Sequence, residues 1–97
     1  NLKTRSLEAS TCRDFIEWCG VINDEDNPHL TTDSRLLCNE TYNYFIIDYP
    51  DYGPRAKLSI SRTCFYRWLT AYAVFLTGVT PSKGRDKFGQ WMIIHTK

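Results

Sequence analysis

Residues 61–78 read SRTCFYRWLTAYAVFLTG, and this stretch decides the fold that the sequence predicts. Ser59 or Ser61 can cap the N-terminus of a helix here, because a serine oxygen accepts hydrogen bonds from the free N–H groups of a first turn. Gly78 supplies a C-terminal stop. The apolar side chains recur at the spacing of one helical face, at Phe65, Trp68, Leu69, Tyr72 and Leu76. The stretch therefore predicts a helix with one buried face.

A first helix is predicted over residues 6–19, before the stretch quoted above. It would end at Gly20, and an acidic surface loop would follow at residues 23–29, where Pro28 interrupts the chain. Its buried stripe consists of Cys12, Phe15, Ile16 and Cys19.

A second helix is predicted from a cap at Thr31, Thr32 or Asp33 to about Tyr49. Pro50 stops it, and residues 50–54 form a turn by composition. Its aromatic stripe consists of Cys38, Tyr42, Phe45, Ile46 and Tyr49.

The C-terminal residues predict a β-hairpin. Residues 91–95 (WMIIH) have strand propensity, and residues 81–89 are rich in turn formers and charge, so they are expected to form a long basic tip. The fold class expected for the whole chain is α+β, mostly helical. It is a winged helix-turn-helix of three helices with the hairpin as the wing, and residues 1–97 form a single domain with an acidic helical lead-in at 1–30 and the core at 31–97.

Composition limits the remaining possibilities. A chain of 97 residues with 42% hydrophobic content builds one core, and no apolar run approaches the roughly 20 residues of a membrane helix. A soluble, cytoplasmic protein without a membrane partner is expected, and the start at Asn1 suggests a fragment of a longer protein. The four cysteines lack C-x-x-C spacing, so no metal site is expected and the thiols should be reduced.

Charge is distributed unevenly along the sequence. Residues 1–54 carry four basic and ten acidic residues, a net charge of −6, whereas residues 55–97 carry eight basic residues against Asp86 alone, a net charge of +7. Such a basic cluster attracts a polyanion, and nucleic acid is the obvious one. Attraction between the two halves of the domain, or binding to an acidic protein, explains the same asymmetry. The basic residues are Arg55, Lys57, Arg62, Arg67, Lys83, Arg85, Lys87 and Lys97.

The nucleic-acid contacts are expected on the third helix and on the wing. Arginine, threonine and tyrosine on the face opposite the apolar stripe suit contact with DNA backbone and bases. The wing would reach phosphates or a minor groove, with Asp86 pairing with Arg85 or Lys87. The alternatives are a solvated helix face and a hairpin tip that charge keeps soluble. The candidates are Arg62, Thr63, Tyr66, Arg67 and Thr70 on the helix, Lys83, Arg85 and Lys87 on the wing, and Arg55 and Lys57 before the helix.

Catalysis has little support in the sequence. His29 and His95 stand outside any recognisable nucleophile elbow, phosphate-binding loop, H-E-x-x-H or paired-carboxylate motif. No enzymatic activity and no cofactor are expected. The acidic residues 24–26 could bind a cation weakly, but such a loop is usually only solvated.

A family resemblance is carried by residues 41–45 (TYNYF), 58–65 (LSISRTCF) and 90–94 (QWMII), together with Gly78 and the pair Gly84-Arg85. Residues 31–97 resemble the C-terminal domain of primase-helicases of phages, poxviruses and mobile elements. They are also similar to the C-terminal segments of virulence-associated-E-type replication proteins. The resemblance implies a DNA-binding appendage whose further partners are the ATPase or primase domains of the parent chain. A protein-docking module and a dimeric transcriptional regulator stand as alternatives.

Overall fold

The described chain is a small α+β domain, about half helical, with four α-helices and a three-stranded antiparallel sheet. The structure, a computed structural model, describes residues 2–22, 25 and 27–96, without the side chains of Leu2 and Lys3. No helix among these residues is long and apolar enough to cross a membrane. The elements in chain order are α1 (Leu2–Ser10), α2 (Arg13–Trp18), β1 (Arg35–Leu37), α3 (Cys38–Asp48), a short 3-10 helix (Pro50–Tyr52), α4 (Arg62–Thr77), β2 (Ser82–Asp86) and β3 (Gly89–Ile93).

The single first helix predicted over residues 6–19 is wrong, because two helices, α1 and α2, occupy this region. The hydroxyls of Ser10 and Thr11 donate to the carbonyls of Ser6 and Leu7, and such backbone competition weakens a helix. Cys12 is then fully extended, with φ −155°. The predicted stop is confirmed, since α2 ends at Trp18 and Gly20 has φ +89°.

The predicted start of the second helix is also wrong. Residues 35–37 form β1, which pairs with β3, and α3 begins only at Cys38. Asp33, predicted as a possible cap, instead accepts hydrogen bonds from the backbone N–H and the hydroxyl of Thr96. The C-terminal residues thus hold this segment in the sheet, and that long-range pairing overrides the local capping signal.

The hairpin is present, but its long basic tip is not. β2 spans Ser82–Asp86 and pairs with β3 along its whole length, so only Lys87 and Phe88 form the turn. The sheet order is β1-β3-β2, with β3 in the centre. Lys83 and Arg85 therefore lie on a strand, where their directions are fixed by the register of the sheet.

Helix α4 follows the sequence prediction closely. Ser61 caps it by accepting from the N–H of Cys64 at 3.0 Å, and Gly78 ends it in the left-handed region with φ +79°. Phe65 and Leu69 are completely buried. Leu76 departs from the prediction, because nearly half of it is exposed in the last turn of the helix.

An aromatic cluster forms the centre of the core and joins α2, α3 and α4. Phe15, Phe45 and Phe65 have no exposed surface, and their ring centroids lie 5.4–5.9 Å apart. Such edge-to-face and tilted pairs add to the hydrophobic stabilisation of the rings. Because α4 is anchored to this cluster through Phe65, its opposite face is held in a fixed orientation toward the hairpin.

We expect the Asp33 contact to stabilise the fold in a pH-dependent way. The hydrogen bonds from Thr96 lower the pKa of Asp33 below its ordinary value. This contribution is therefore present above the unfolded pKa of about 3.9 and is lost as the pH falls through the folded pKa. The difference in the free energy of unfolding between wild type and Asp33→Asn should be constant near neutral pH and shrink in acid.

Urea unfolding at a series of pH values measures this difference. Asparagine tolerates the positive φ of 58° at this position, so the variant changes the charge with little backbone strain. Thr96→Val removes the hydroxyl donor and should reproduce part of the difference. A difference between wild type and Asp33→Asn that is independent of pH would contradict the prediction.

Candidate functional site

A groove of about 470 Å³ separates the N-terminal half of α4 from the β2–β3 hairpin. Its floor includes the buried residues Cys38 and Met92. Its sides carry candidates predicted on separate elements, namely Thr63, Tyr66 and Arg67 from α4 and Lys83 and Arg85 from β2, together with Gln90 from β3. The structure thus brings together five of the ten residues predicted to contact nucleic acid.

The register of the hairpin explains why its cations point toward α4. Lys83 pairs with Met92 and Arg85 pairs with Gln90. Side chains of paired residues lie on the same face of a sheet, and alternate residues on one strand share that face. Met92 is buried in the core, so Lys83 and Arg85 lie on the helix-facing side of the sheet, beyond the edge of the core.

Tyr66 stands at the centre of the groove. Its hydroxyl donates to Oδ1 of Asn39 at 2.6 Å, which joins α4 to the first turn of α3. Burial is the main cause that raises the pKa of Tyr66, while the nearby positive charges of Arg62 and Arg85 act in the opposite direction. The positive charges of Arg62 on α4 and Arg85 on the hairpin therefore both lie close enough to the phenol to act on its pKa.

Arg62 lies on the first turn of α4, next to Thr63 in the sequence, and does not itself line the groove. Its guanidinium carbon is 5.3 Å from the centre of the Tyr42 ring, an arrangement that orients the exposed side chain by a cation–π contact. The Tyr42 hydroxyl donates in turn to the carbonyl of Ile60 at 3.2 Å. The Tyr42 ring that Arg62 contacts is therefore held in place by the hydrogen bond of its own hydroxyl.

Among the described residues, no carboxylate lies within 4.0 Å of a cation that lines the groove. Ion pairs within 4.0 Å, among the residues that the structure describes, join Arg13 to Glu8 and Arg35 to Asp86. Asp86 was expected to pair with Arg85 or Lys87, and that expectation is wrong. The groove consequently keeps the full positive charge of Arg67, Lys83 and Arg85.

Arg35 and Trp91 brace the outer face of the sheet, and the sequence patterns did not single them out for this role. The Arg35 guanidinium lies 4.5 Å from the centre of the Trp91 ring. A Cβ atom on Gly84 would lie 2.3 Å from the same indole, so only glycine lets the ring lie flat across β2. This packing stabilises one face of the hairpin, and Lys83 and Arg85 lie on the opposite face.

The other candidates lie outside the lining of the groove. Thr70 donates its hydroxyl to the carbonyl of Tyr66 at 3.0 Å, so it is occupied within the helix. Arg55 and Lys57 are exposed in the loop before α4, and Lys87 is in the hairpin turn. Lys97 lies outside the described residues. Gln90 lines the groove without having been predicted, while Asn39 and Tyr42 contact Tyr66 and Arg62 from outside the lining. These contacts are visible only in three dimensions.

The exposed pair of Ser82 and His95 is the arrangement that most resembles a catalytic one. Ser82 Oγ lies 2.6 Å from Nε2 of His95. The nearby carboxylate of Asp33 uses both oxygens to accept from Thr96, so it does not orient the imidazole. No group of three or more His, Cys, Asp or Glu residues within the described ranges is arranged to hold a metal ion. The acidic residues Asp24 and Asp26 of the predicted loop lie outside those ranges.

The groove combines unpaired cations with phenol, amide and hydroxyl groups on an open surface. Such a set suits an extended anionic ligand, because each cation can meet a separate anionic group while the polar groups donate and accept hydrogen bonds. Comparison of the chain with protein-family models, curated proteins and solved structures finds no significant match. The function of the chain is therefore inferred from the chemistry of the groove.

Proposed function

We propose that this chain is a DNA-binding domain of the winged-helix type, in which α4 and the β2–β3 hairpin together grip the DNA backbone. The element order and the three-stranded antiparallel sheet are compatible with that fold. In this arrangement α4 presents Arg62, Thr63 and Arg67, and the hairpin acts as the wing that presents Lys83 and Arg85.

One observation carries the proposal, the convergence of cations from two elements that are distant in the sequence. Arg67 and Lys83 are 16 residues apart in the chain, yet both line one groove with Arg85. A surface that served only solubility would have no reason to gather its cations and leave carboxylates away from them. Phosphate contacts of this kind fix the register and orientation of a protein on DNA.

The N-terminus of α4 supports an anionic ligand as well. The dipole of a helix places partial positive charge there, and stability alone favours acidic residues in the first turn. The first turn of α4 contains no acidic residue and begins with Arg62. A positive charge at this end lowers the stability of the free protein by about 0.3–1 kcal/mol. A phosphate bound at the N-terminus of the helix would interact favourably with both the dipole and Arg62.

The proposed biological setting follows the sequence resemblance to replication proteins. We propose that the domain serves a replication or mobile-element protein and cooperates with ATPase or primase domains of the parent chain. The polar groups of Thr63 and Gln90, which line the groove with the cations, favour DNA over an acidic protein, because they can contact base edges as well as phosphates.

A protein-docking role has support at the opposite end of α4. A second groove of about 620 Å³ lies between α1 and the C-terminal half of α4 and is lined mainly by apolar groups. Leu7, Ala71 and Phe75 contribute to it, and Val74 is 41% exposed there. This face is separate from the basic groove, so docking and DNA binding are compatible within one domain.

We expect DNA binding to depend steeply on salt. Three to five phosphate contacts give a slope of about −3 to −4.5 for log K against log salt with duplex DNA. Arg62→Ala/Arg67→Ala should make this slope about 1.8 units less steep, since two contacts are lost. Fluorescence anisotropy with a labelled duplex at 50 to 200 mM salt measures both quantities.

Arg5→Ala/Arg13→Ala is the matched control, because it removes the same charge from α1 and α2, whereas Arg62 and Arg67 both belong to α4. Its slope should remain close to that of wild type. Absence of binding at low salt, or equal effects of the two double variants, would disprove binding through the groove.

A further inference from the structure

Phe88 is an exposed aromatic residue at the tip of the hairpin. Although phenylalanine is strongly apolar, 65% of this residue is exposed, and it is absent from the hydrophobic core. An exposed ring of this size forgoes the hydrophobic stabilisation that burial would give. The turn itself does not require it, since turn positions favour small polar residues.

The turn that carries Phe88 is held in place. Asp86 Oδ1 accepts from the N–H of Phe88 at 2.8 Å, and Asp86 Oδ2 accepts from Arg35 at 3.0 Å. Gly89 takes the positive φ, at +112°, whereas neither Lys87 nor Phe88 does. This pattern is typical of a turn closed by a glycine bulge, so the backbone fixes where the ring is presented.

The tip of the hairpin lies next to the basic groove in the sequence of both strands, although its residues do not line the groove. Asp86 pairs with Gly89, so Phe88 stands two residues from Gln90, which lines the groove. At about 3.3 Å per strand residue, the tip lies within roughly 7 Å of that position. The ammonium of Lys87 also lies 5.1 Å from the centre of the Phe88 ring. A DNA strand seated in the groove would therefore pass the ring within about two nucleotides, given 3.4 Å per nucleotide along a strand.

We infer that Phe88 stacks on an unpaired base of the bound DNA, so that the domain prefers duplexes with a fork, a gap or a single-stranded end. This inference rests on the proposed function and deepens it by naming the kind of DNA. Stacking on an aromatic ring is worth about 1–3 kcal/mol per base and tolerates any sequence.

Unpaired bases are favoured because the energy available from one ring is small. Insertion between paired and stacked bases first requires those bases to unstack, and one aromatic contact barely offsets that cost. A base that is already unpaired carries little of this cost. A single ring on a rigid, cationic turn thus discriminates between the two kinds of DNA.

The test compares two labelled DNAs of equal length, one fully paired and one with a short single-stranded gap, by fluorescence anisotropy. Wild type should bind the gapped DNA more tightly, and Phe88→Ala should weaken that binding by about 5- to 150-fold, the stacking energy converted at 1.4 kcal/mol per tenfold change. Binding to the fully paired DNA should change by less than about twofold. A 2-aminopurine base in the gap should be quenched by wild type, because stacking quenches its fluorescence.

Two further variants separate stacking from simple apolar contact. Phe88→Tyr keeps the flat ring and should bind gapped DNA like wild type, whereas Phe88→Leu keeps apolar character without the ring and should resemble Phe88→Ala. A Phe88→Leu protein that binds gapped DNA like wild type would overturn the inference. So would equal wild-type binding to both DNAs with no effect of Phe88→Ala, although the proposed function would then survive. Failure of wild type to bind either DNA would defeat both.

Discussion

Reversing the charge of Lys83 and Arg85 should nearly abolish binding to duplex DNA. At 0.1 M salt, a slope of about 0.9 per phosphate contact corresponds to about 1.2 kcal/mol per contact. Removing two contacts therefore costs about 2.4 kcal/mol, and replacing both cations by glutamate about doubles that cost. Lys83→Glu/Arg85→Glu should lower the affinity by about a thousandfold or more, measured by anisotropy at 0.1 M salt.

The variant should remain folded, because both side chains are exposed and, within the part of the chain that the structure describes, neither has a carboxylate partner within 4.0 Å. Circular dichroism and thermal unfolding check this directly. Arg5→Glu/Arg13→Glu produces the same change in net charge on α1 and α2 and should lower the affinity less than about tenfold, since screened charges beyond about 10 Å interact weakly. Similar losses for the two reversals would mean that only net charge matters, which would contradict a specific groove.

Helix α4 was predictable because every local signal agrees with its final environment. The capping serine, the apolar spacing and the terminating glycine all act within the helix itself. The exception is Leu76, whose periodic position predicts burial. The buried residues of α4 end at Ala73, so the apolar spacing continues one turn further than the burial does. How far a helix is covered by its neighbours is not a local property.

Strand β1 could not be predicted for the opposite reason. Arg35, Leu36 and Leu37 have no strand pattern of their own and follow residues that resemble a helix cap. They become a strand because they pair with residues 91–93, about 55 positions later, which places Leu36 beside Met92 in the core. A preference supplied by a distant partner overrides weak local propensity.

The candidate site was predictable in its charges but not in its geometry. Charge asymmetry selected Arg67, Lys83 and Arg85, and these residues meet in the groove. The same composition predicted a long basic loop for residues that form a strand, because serine, glycine and aspartate are typical of turns. Asn39 and Gln90 were not predicted, since a single amide side chain has no recognisable sequence pattern. The contact of Asn39 with Tyr66 is known only from the structure.

Phe45→Ala should destabilise the domain by about 3–5 kcal/mol, the usual cost of removing a fully buried aromatic ring. Phe45 has no exposed surface, and its ring packs against those of Phe15, Trp18, Tyr49, Tyr52, Phe65 and Trp68. The substitution would remove the ring contacts that join α3 to both α2 and α4. A domain of this size should lose roughly 15–35 °C in Tm, measured by calorimetry or by circular dichroism.

Ile47→Ala is the matched control for this loss, since Ile47 lies on the same helix and is 73% exposed. Its effect should stay within about 0.5 kcal/mol, as for other surface substitutions.

The Phe45→Ala variant also separates the effect of a mutation on folding from its effect on DNA binding. Phe45→Ala should lower the apparent affinity for DNA only in proportion to the unfolded fraction, leaving the salt slope unchanged, because the phosphate contacts of the folded molecules are the same. A changed slope at a temperature where the variant is folded would show that the aromatic core also sets the position of the cations on α4.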